Sequence, residues 1–358
     1  MRLLHLTDRL SERGGADWHL LGVLAQLARR HDVLLAHGRA DGSAAAPCPA
    51  AVVPALGAAD AVAAPELDAL AAAFRPDLVH VHNVMNPAAL AWAAARGAVA
   101  TVQDHRAFCP GRGKLTRADA PCAAPMSAAV CAPCFDDEAY FRRLLAVTTA
   151  RRDALARMRR VVVLSAYMRR ELLAVGLDPA AVAVVPPVVP GLAPGAAPAG
   201  PPCVLFLGRL VAAKGVRDAV TAWQRAGVAL PLVIAGAGPE RARLGAAPGL
   251  ELLGWVPHAR LAGVYRRARA LVFPSRWQEP FGIAGLEAVT LGVPVAAWAS
   301  GGVAEWHPGP GLAAWGDHDG LAAALRDVIG RPAAAPAGFD ANALMRRLEA
   351  VYAAALAA

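Results

Sequence analysis

Apolar residues fall along this chain in two rhythms. Short unbroken apolar runs, closed by glycine, proline or a polar residue, alternate with longer stretches in which leucine, valine or alanine recurs every three to four positions. The runs read as buried strands and the stretches as helices, so the pattern predicts an α/β fold built from parallel sheets. Residues 2–7 open the series as a strand. Leu20, Leu21, Leu24 and Leu27 mark the first helix, and residues 32–37 form the second strand. Residues 38–65 read as irregular, apart from a strand near 51–54. Further strands are expected over 77–82, 98–102, 161–165 and 182–185, with helices over 66–74, 87–96, 140–160 and 166–175. A second series starts at 203–207 and continues through strands at 232–235, 251–253, 270–274, 293–297 and 312–314. Its helices cover 216–226, 261–267, 284–290 and 317–328.

The stretch 186–202 is rich in Pro, Gly and Ala and reads as a linker. The expected organisation is therefore an N-terminal domain over 1–185 and a C-terminal domain over 203–340. A closing helical segment over 341–358 crosses back onto the first domain.

At 358 residues the chain is long enough for two domains of ordinary size. Although 56% of residues are hydrophobic, no unbroken apolar run is long enough to span a bilayer. The first residues carry charge too early for a secretion signal. A cytoplasmic protein is expected. The net charge of +8 comes almost wholly from arginine, with lysine at 114 and 214 alone, and alanine is abundant. Both biases fit a GC-rich bacterial genome. The charge favours anionic ligands. Aromatic residues are 6% and are not interleaved with basic ones, which argues against nucleic acid. The basic region Arg142–Arg160 is either a solvated helix face or a peripheral contact with the inner membrane face.

The candidate chemistry centres on residues 277–292. Glu279 sits in a strand-to-helix loop, and Glu287 lies about one turn into the helix. Between them, Phe281, Gly282 and Ile283 bring backbone N–H groups to a helix N-terminus, a ready anion site. Gly14 and Gly15 open the first helix, where the backbone can approach a phosphate. They do not make a G-x-G-x-x-G dinucleotide fingerprint. His80 and His82 share a strand face, and His82 at the strand end could reach a crevice. Cys109, Cys122, Cys131 and Cys134 end in Cys-x2-Cys, a spacing suited to structural tetrahedral zinc. Four reduced thiols, or pairs that oxidise on handling, are the alternatives. Gly111 to Lys114 is not a P-loop, since no Ser or Thr follows.

Glu279-Pro-Phe-Gly followed by Glu287 resembles the E-x7-E signature of retaining glycosyltransferases of family 4, which have the GT-B fold. The resemblance implies two Rossmann-like parallel-sheet domains facing a central cleft. It implies a nucleotide-sugar donor, a UDP-sugar foremost and a GDP-sugar next, and no catalytic metal. Glu279 would face the transferred sugar and Glu287 the ribose. Arg209 and Lys214 would meet the donor pyrophosphate, helped by the amides around Gly282. Gly236, Gly238 and Val256 would flank the nucleobase, and Gly14 and Gly15 the donor phosphate or sugar. Many relatives carry Thr-x-His-Asp-aromatic and then Cys-Pro at the strand end near residue 101. This chain has Thr101-Val102-Gln103-Asp104-His105, so Gln103 stands where the histidine is usual. Gln103 can only hydrogen-bond. Asp104 and His105 are then the other candidates there, His105 taking the proton role if its loop turns inward.

The implied reaction is sugar transfer with retention to a sugar, lipid-linked or small-molecule acceptor. Cell-surface polysaccharide, glycolipid or natural-product glycosylation are the settings it suits. Two alternatives stay open: a nucleotide-sugar-binding protein without transferase activity, and a nucleotide-sugar epimerase.

Overall fold

The structure is a computed structural model and describes residues 1–189, 197–245, 247–333 and 336–357. The chain divides into two compact units, Met1–Pro190 with Gly338–Ala358, and Gly191–Ala337. Part of the expected linker, residues 190–196, lies outside the described residues.

In the first unit seven strands form one sheet: β1 (Arg2–Leu10), β2 (Asp32–Ala40), β3 (Ala50–Val52), β4 (Leu78–Val81), β5 (Val99–Val102), β6 (Arg160–Val163) and β7 (Val182–Val184). Their spatial order is β3-β2-β1-β4-β5-β6-β7, and every pairing is parallel. Helices α1 (Gly15–Leu27), α2 (Ala64–Phe74), α3 (Pro87–Ala94), α4 (Ala128–Cys131), α5 (Glu138–Ala156) and α6 (Ala166–Ala174) accompany them. Side chains alternate across the sheet with the strand period of two. Leu4, Leu6, Val79, Val81, Ala100 and Val102 join one buried layer. Leu3, Leu35, Leu78 and Val99 join the other, beneath α1.

The second unit repeats the plan with β8 (Cys203–Leu207), β9 (Leu232–Ala235), β10 (Leu250–Gly254), β11 (Ala268–Phe273), β12 (Val295–Trp298) and β13 (Leu312–Ala313). The order is β10-β9-β8-β11-β12-β13, again parallel. Its helices are α7 (Val216–Ala226), α8 (His258–Arg267), α9 (Ile283–Thr290) and α10 (His318–Val328). All four residues of β9 are fully buried, as expected of a strand covered on both faces.

The chain then returns to the first unit as α11 (Ala341–Leu356). Asp340 caps it by accepting from the Ala343 N–H at 2.8 Å. Leu344, Met345, Leu348, Tyr352 and Ala355 form its buried stripe against the α1 layer. Burying each large apolar side chain there contributes about 1.5–3 kcal/mol.

Two local expectations shift. Strand β1 runs on to Leu10 rather than ending at Thr7, because Arg9 and Leu10 keep their ladder partners Arg39 and Ala40 on β2. The stretch read as irregular holds β3 and a 3-10 turn over Pro54–Gly57.

Candidate active site

In the second unit the strand order switches direction between β8 and β11, and the candidate residues follow those two strands. Crevices at such switch points are where doubly wound sheets take ligands. The two loops are locked together. The Arg276 N–H donates to the Ala213 carbonyl at 3.0 Å. Gly215 is left-handed at φ 69°, and a Cβ there would stand 1.9 Å from the Pro274 carbonyl oxygen, so only glycine permits this approach. Below, Asp218 of α7 grips Arg276 through two bonds of 2.6 and 2.7 Å and also meets His318 Nε2 at 2.8 Å. Trp315 donates to the Arg276 carbonyl at 2.8 Å.

Glu279 is 3% exposed in this frame. Its Oε1 accepts from Lys214 Nζ at 2.7 Å and Ser275 Oγ at 2.6 Å. Burial pushes the carboxyl pKa up, but Lys214, Ser275 and Trp277 outweigh it and hold the group below the usual glutamate range. Lys214 Nζ also lies 4.5 Å from the Trp277 ring centre. The structure therefore seats Lys214 on Glu279, whereas the sequence had assigned it to an anionic ligand. Arg209, which follows β8, is exposed; its carbonyl accepts from the Val211 N–H at 2.9 Å, while its side chain has no hydrogen-bond or ion-pair partner among the described residues.

Glu287 lies on α9, 6% exposed. Tyr265 of α8 donates to its Oε2 at 2.8 Å, and His258 Nε2 stands 3.8 Å from its Oε1. Burial, then the Glu287 charge, raises the Tyr265 phenol well above its ordinary range, so it stays a donor. Gly282 begins α9 at φ 95° with no side-chain cap, which leaves the first helical amides open. The Phe281 side chain turns into the core at 1% exposure, and its carbonyl accepts from Trp306 Nε1 at 2.6 Å. Gly236 and Gly238 press against backbone: a Cβ at each would stand 1.9 Å from the Gly208 oxygen and 2.4 Å from the Leu210 oxygen. Close packing thus accounts for both glycines. Val256 is half-buried in the loop between β10 and α8.

In the first unit Gly14 is the uncapped N-cap of α1 and Gly15 its first residue. Asp17 in that first turn is held by Arg9 through two 3.1 Å bonds. Asp104 accepts from Arg106 Nε at 2.6 Å; burial works to raise its pKa, yet the guanidinium holds it below the usual range. His105 is 4% exposed, its Nε2 3.4 Å from the Tyr167 hydroxyl and its ring edge-on to Phe108. Gln103 is 5% exposed, and neither side-chain polar atom has a partner.

All six cysteines are free thiols. Burial raises the Cys131 pKa, and the charges of Cys109, Cys122 and Cys134 add to the rise, so the four sense one another. Their sulfurs do not draw together at ligand spacing. Among the described residues, His5, His80 and His82 are the one group whose ligand atoms all lie within 4.8 Å. His5 stacks on His82 while the His80 ring is tilted against both, and the three hydrogen-bond: His5 Nδ1 meets His82 Nε2 at 2.9 Å, while His80 bridges Tyr352 at 2.6 Å and Thr101 at 2.8 Å. Lys114, 3% exposed, pins the cysteine loop through Glu171 at 2.9 Å and the Ala124 carbonyl at 2.6 Å.

The basic region is less of a continuous face than its arginine count suggested. Arg151 turns inward onto the Met85 carbonyl at 2.6 Å, and Arg142 and Arg152 pair with Glu138 and Asp153. No helix among the described residues is long and apolar enough to cross a membrane.

The family model described as Glycosyltransferase Family 4 matches residues 13–190, and the model described as Glycosyl transferases group 1 matches residues 201–331. The chain belongs to glycosyltransferase family 4. Among relatives of this family 4 member, glycogen synthase of Mycobacterium tuberculosis (strain CDC 1551 / Oshkosh) is 37% identical over 150 residues, 38% of this chain and 36% of that protein. The 2-deoxystreptamine N-acetyl-D-glucosaminyltransferase of Streptomyces fradiae is 32% identical over 182 residues, 44% and 43% of the two chains. The family 4 chain thus matches well under half the length of these curated relatives. Its fold is GT-B. Anabaena HepE, solved with UDP and glucose, superposes with a TM-score of 0.69 at 18% identity, covering 99% of both chains. AviGT4, described as a glycosyltransferase involved in avilamycin A biosynthesis, gives 0.63 at 19% identity, covering 100% of this chain and 98% of its own.

Four contributors escaped the sequence reading: Tyr265, Ser275, Asp218 and Arg276. None belongs to a motif. Ser275 and Arg276 lie within five residues of Glu279, so loop position was the one signal available for them.

Proposed function

We propose that this protein transfers a sugar from a nucleotide-sugar donor, a UDP-sugar foremost, to an acceptor hydroxyl with retention at the anomeric carbon and without a catalytic metal. The observation that carries the reading is the group around the second unit's switch point. The Arg209 side chain has no partner among the described residues, Lys214 follows the same strand and sits on Glu279, and the open amides of α9 follow the same loop as Glu279. Leaving-group charge on a pyrophosphate needs such fixed positive groups. Glu287, with Oε2 on Tyr265 and Oε1 toward His258, offers a carboxylate acceptor for ribose hydroxyls, and Glu279 is the carboxylate for the sugar. HepE was solved with UDP and with UDP-glucose, which favours uridine as the base. Gly14 and Gly15 are read as a second contact for donor phosphate or sugar. A sugar, lipid-linked or small-molecule hydroxyl serves as acceptor.

Arg209→Ala and Lys214→Ala should each lower turnover by about 10²–10³, the usual loss for a transition-state charge donor. Wild-type activity should survive EDTA. Strict magnesium dependence together with near-normal variants, their folds checked by circular dichroism, would overturn the reading.

Zinc on Cys109, Cys122, Cys131 and Cys134 is a separate structural proposal. The four sulfurs would have to come within tetrahedral ligand distance of one ion. Elemental analysis should then find about one zinc per chain; a metal-free protein of full activity would exclude it.

A further inference from the structure

Two cations follow β8, and the structure uses them differently. The Arg209 side chain is exposed and has no hydrogen-bond or ion-pair partner among the described residues. Lys214 is already engaged, its Nζ 2.7 Å from Glu279 Oε1. One of the two positive groups meant for a pyrophosphate is therefore held by a carboxylate before any ligand arrives. The pair faces solvent on its lysine side, with the Lys214 side chain 19% exposed and that of Glu279 4%.

The two partners are held very unequally. Lys214 ends the short turn Ala212–Lys214, just before Gly215 and α7. Beyond Glu279, its Nζ meets the Trp277 ring at 4.5 Å. Its four-carbon stem is flexible, so the ammonium can swing. Glu279 has no such freedom. Ser275 Oγ donates to the same Oε1 at 2.6 Å, and the Glu279 carbonyl accepts from the Gly302 N–H at 2.8 Å. Gly301 lies so close that a Cβ there would stand 2.2 Å from that carbonyl oxygen. The pair is a fixed carboxylate with a movable ammonium.

We infer that donor binding draws the Lys214 ammonium off Glu279 onto the pyrophosphate, and that Glu279 takes up a proton from solvent as it is left. A buried carboxylate without its cation neutralises rather than stays charged. The arriving negative charge pushes the same way. The groups that face Glu279 are Lys214 from the turn before α7, and Ser275 and Trp277 from its own loop. Burial works against its charge, and Lys214 leads the groups that preserve it; the other two are neutral donors. The resting pair thus makes the donor compete for the lysine. In the complex, no carboxylate charge stands beside a leaving group that itself gains negative charge. The neutral carboxyl keeps an acceptor oxygen and gains an O–H donor for a sugar hydroxyl.

The inference rests on the sugar-transfer reading. UDP-glucose, whose pyrophosphate diester does not titrate near neutrality, is titrated by calorimetry in buffers of different ionisation enthalpy, at about pH 6 and about pH 7.5. The wild type should take up a fraction of a proton per donor bound, more at the lower pH. Glu279→Gln should take up none. Lys214→Ala, whose Glu279 has no ammonium to lose, should lose most of the uptake. No uptake by the wild type overturns the inference, as does uptake equal to the wild type's in Lys214→Ala. Uptake that persists in Glu279→Gln belongs to another group, such as His258 beside Glu287, and overturns it too. Bare UDP tests the competition, since it lacks the sugar that Glu279 is read to touch. Glu279→Gln frees Lys214 and should bind UDP about three- to tenfold more tightly, the effect of one released hydrogen bond. The gain should vanish when the same change is made in Lys214→Ala. Equal or weaker UDP binding by Glu279→Gln, its fold checked by circular dichroism, overturns the exchange and leaves the transferase reading standing. A wild type that binds no nucleotide or sugar nucleotide brings down both.

Discussion

The two units share a plan and differ in what they bury. Both are parallel sheets wound in two directions from a central strand pair, β1 and β4 in one, β8 and β11 in the other. At its switch the second unit buries charge in matched pairs: Lys214 with Glu279, Arg276 with Asp218. The first has pairs of its own, Arg9 with Asp17 and Arg106 with Asp104, and adds a buried cluster of neutral imidazoles. Burial lowers His5 to about 3 and His19 to about 4, and takes His80 and His82 well below 6.5. The architecture therefore leaves the electrostatics of the crevice free to vary. A matched ion pair is ready to trade partners with a charged ligand, whereas a neutral cluster tolerates only partners that bring no charge.

The largest expected effect separates the units by acid. A histidine held below its unfolded value of 6.5 costs nothing above that pH. Below it the unfolded chain takes up protons that the folded one refuses, until the folded pKa is reached. At pH 5, His5 and His19 together should cost the first unit about 4 kcal/mol, and His80 and His82 add to this. Glu279 works the other way: its folded pKa is depressed, so its contribution is complete above the ordinary glutamate value and fades only below it. Melting followed by calorimetry from pH 7.5 to 5 should thus show the first unit's transition falling while the second's, with His307 its one lowered histidine among the described residues, moves little. Transitions that fall together would erase the contrast.

A smaller effect tests the paired charges. Asp218→Asn should loosen the loop that carries Glu279 without touching ligand, so kcat should fall about tenfold with donor KM nearly kept, as for a misplaced catalytic group. Asp218→Glu should restore part of it. Equal loss in both variants, tracking a fall in melting temperature, would mean plain destabilisation. The donor-binding effects lie at Glu287 and, smallest of all, at Tyr265. Glu287→Ala should weaken donor binding by about 1.5–3 kcal/mol, the worth of a hydrogen bond to a charged group, and Tyr265→Phe by only about 1 kcal/mol. Calorimetric values in the reverse order would make Tyr265 the ligand contact.

The strand-helix alternation was legible because parallel strands are apolar runs and helices carry their own period. Glu279 in a loop and Glu287 in a helix followed from that alone. The partners of these residues were not legible. Lys214 reaches Glu279 across 65 positions and His318 reaches Asp218 across 100, and no local pattern encodes such distances. The cysteine loop showed its spacing but not its anchor, since a lone lysine at 114 looks like surface until Glu171 is placed beside it. His105 was given a proton role on the condition that its loop turn inward, and the sequence did not show that Tyr167 and Phe108 would pack against it.

The return of α11 has a consequence for how the protein is made. Tyr352 completes the histidine cluster through His80, and Leu344, Leu348 and Ala355 close the apolar layer beneath it. These residues leave the ribosome only after the whole second unit has been synthesised. The first unit, though begun earliest, must wait with the α1 side of its sheet only partly covered, while the second can close on its own sequence. Order of synthesis and order of completion are therefore inverted, and a nascent chain stalled before residue 341 would expose the first unit's histidine face to whatever holdase meets it.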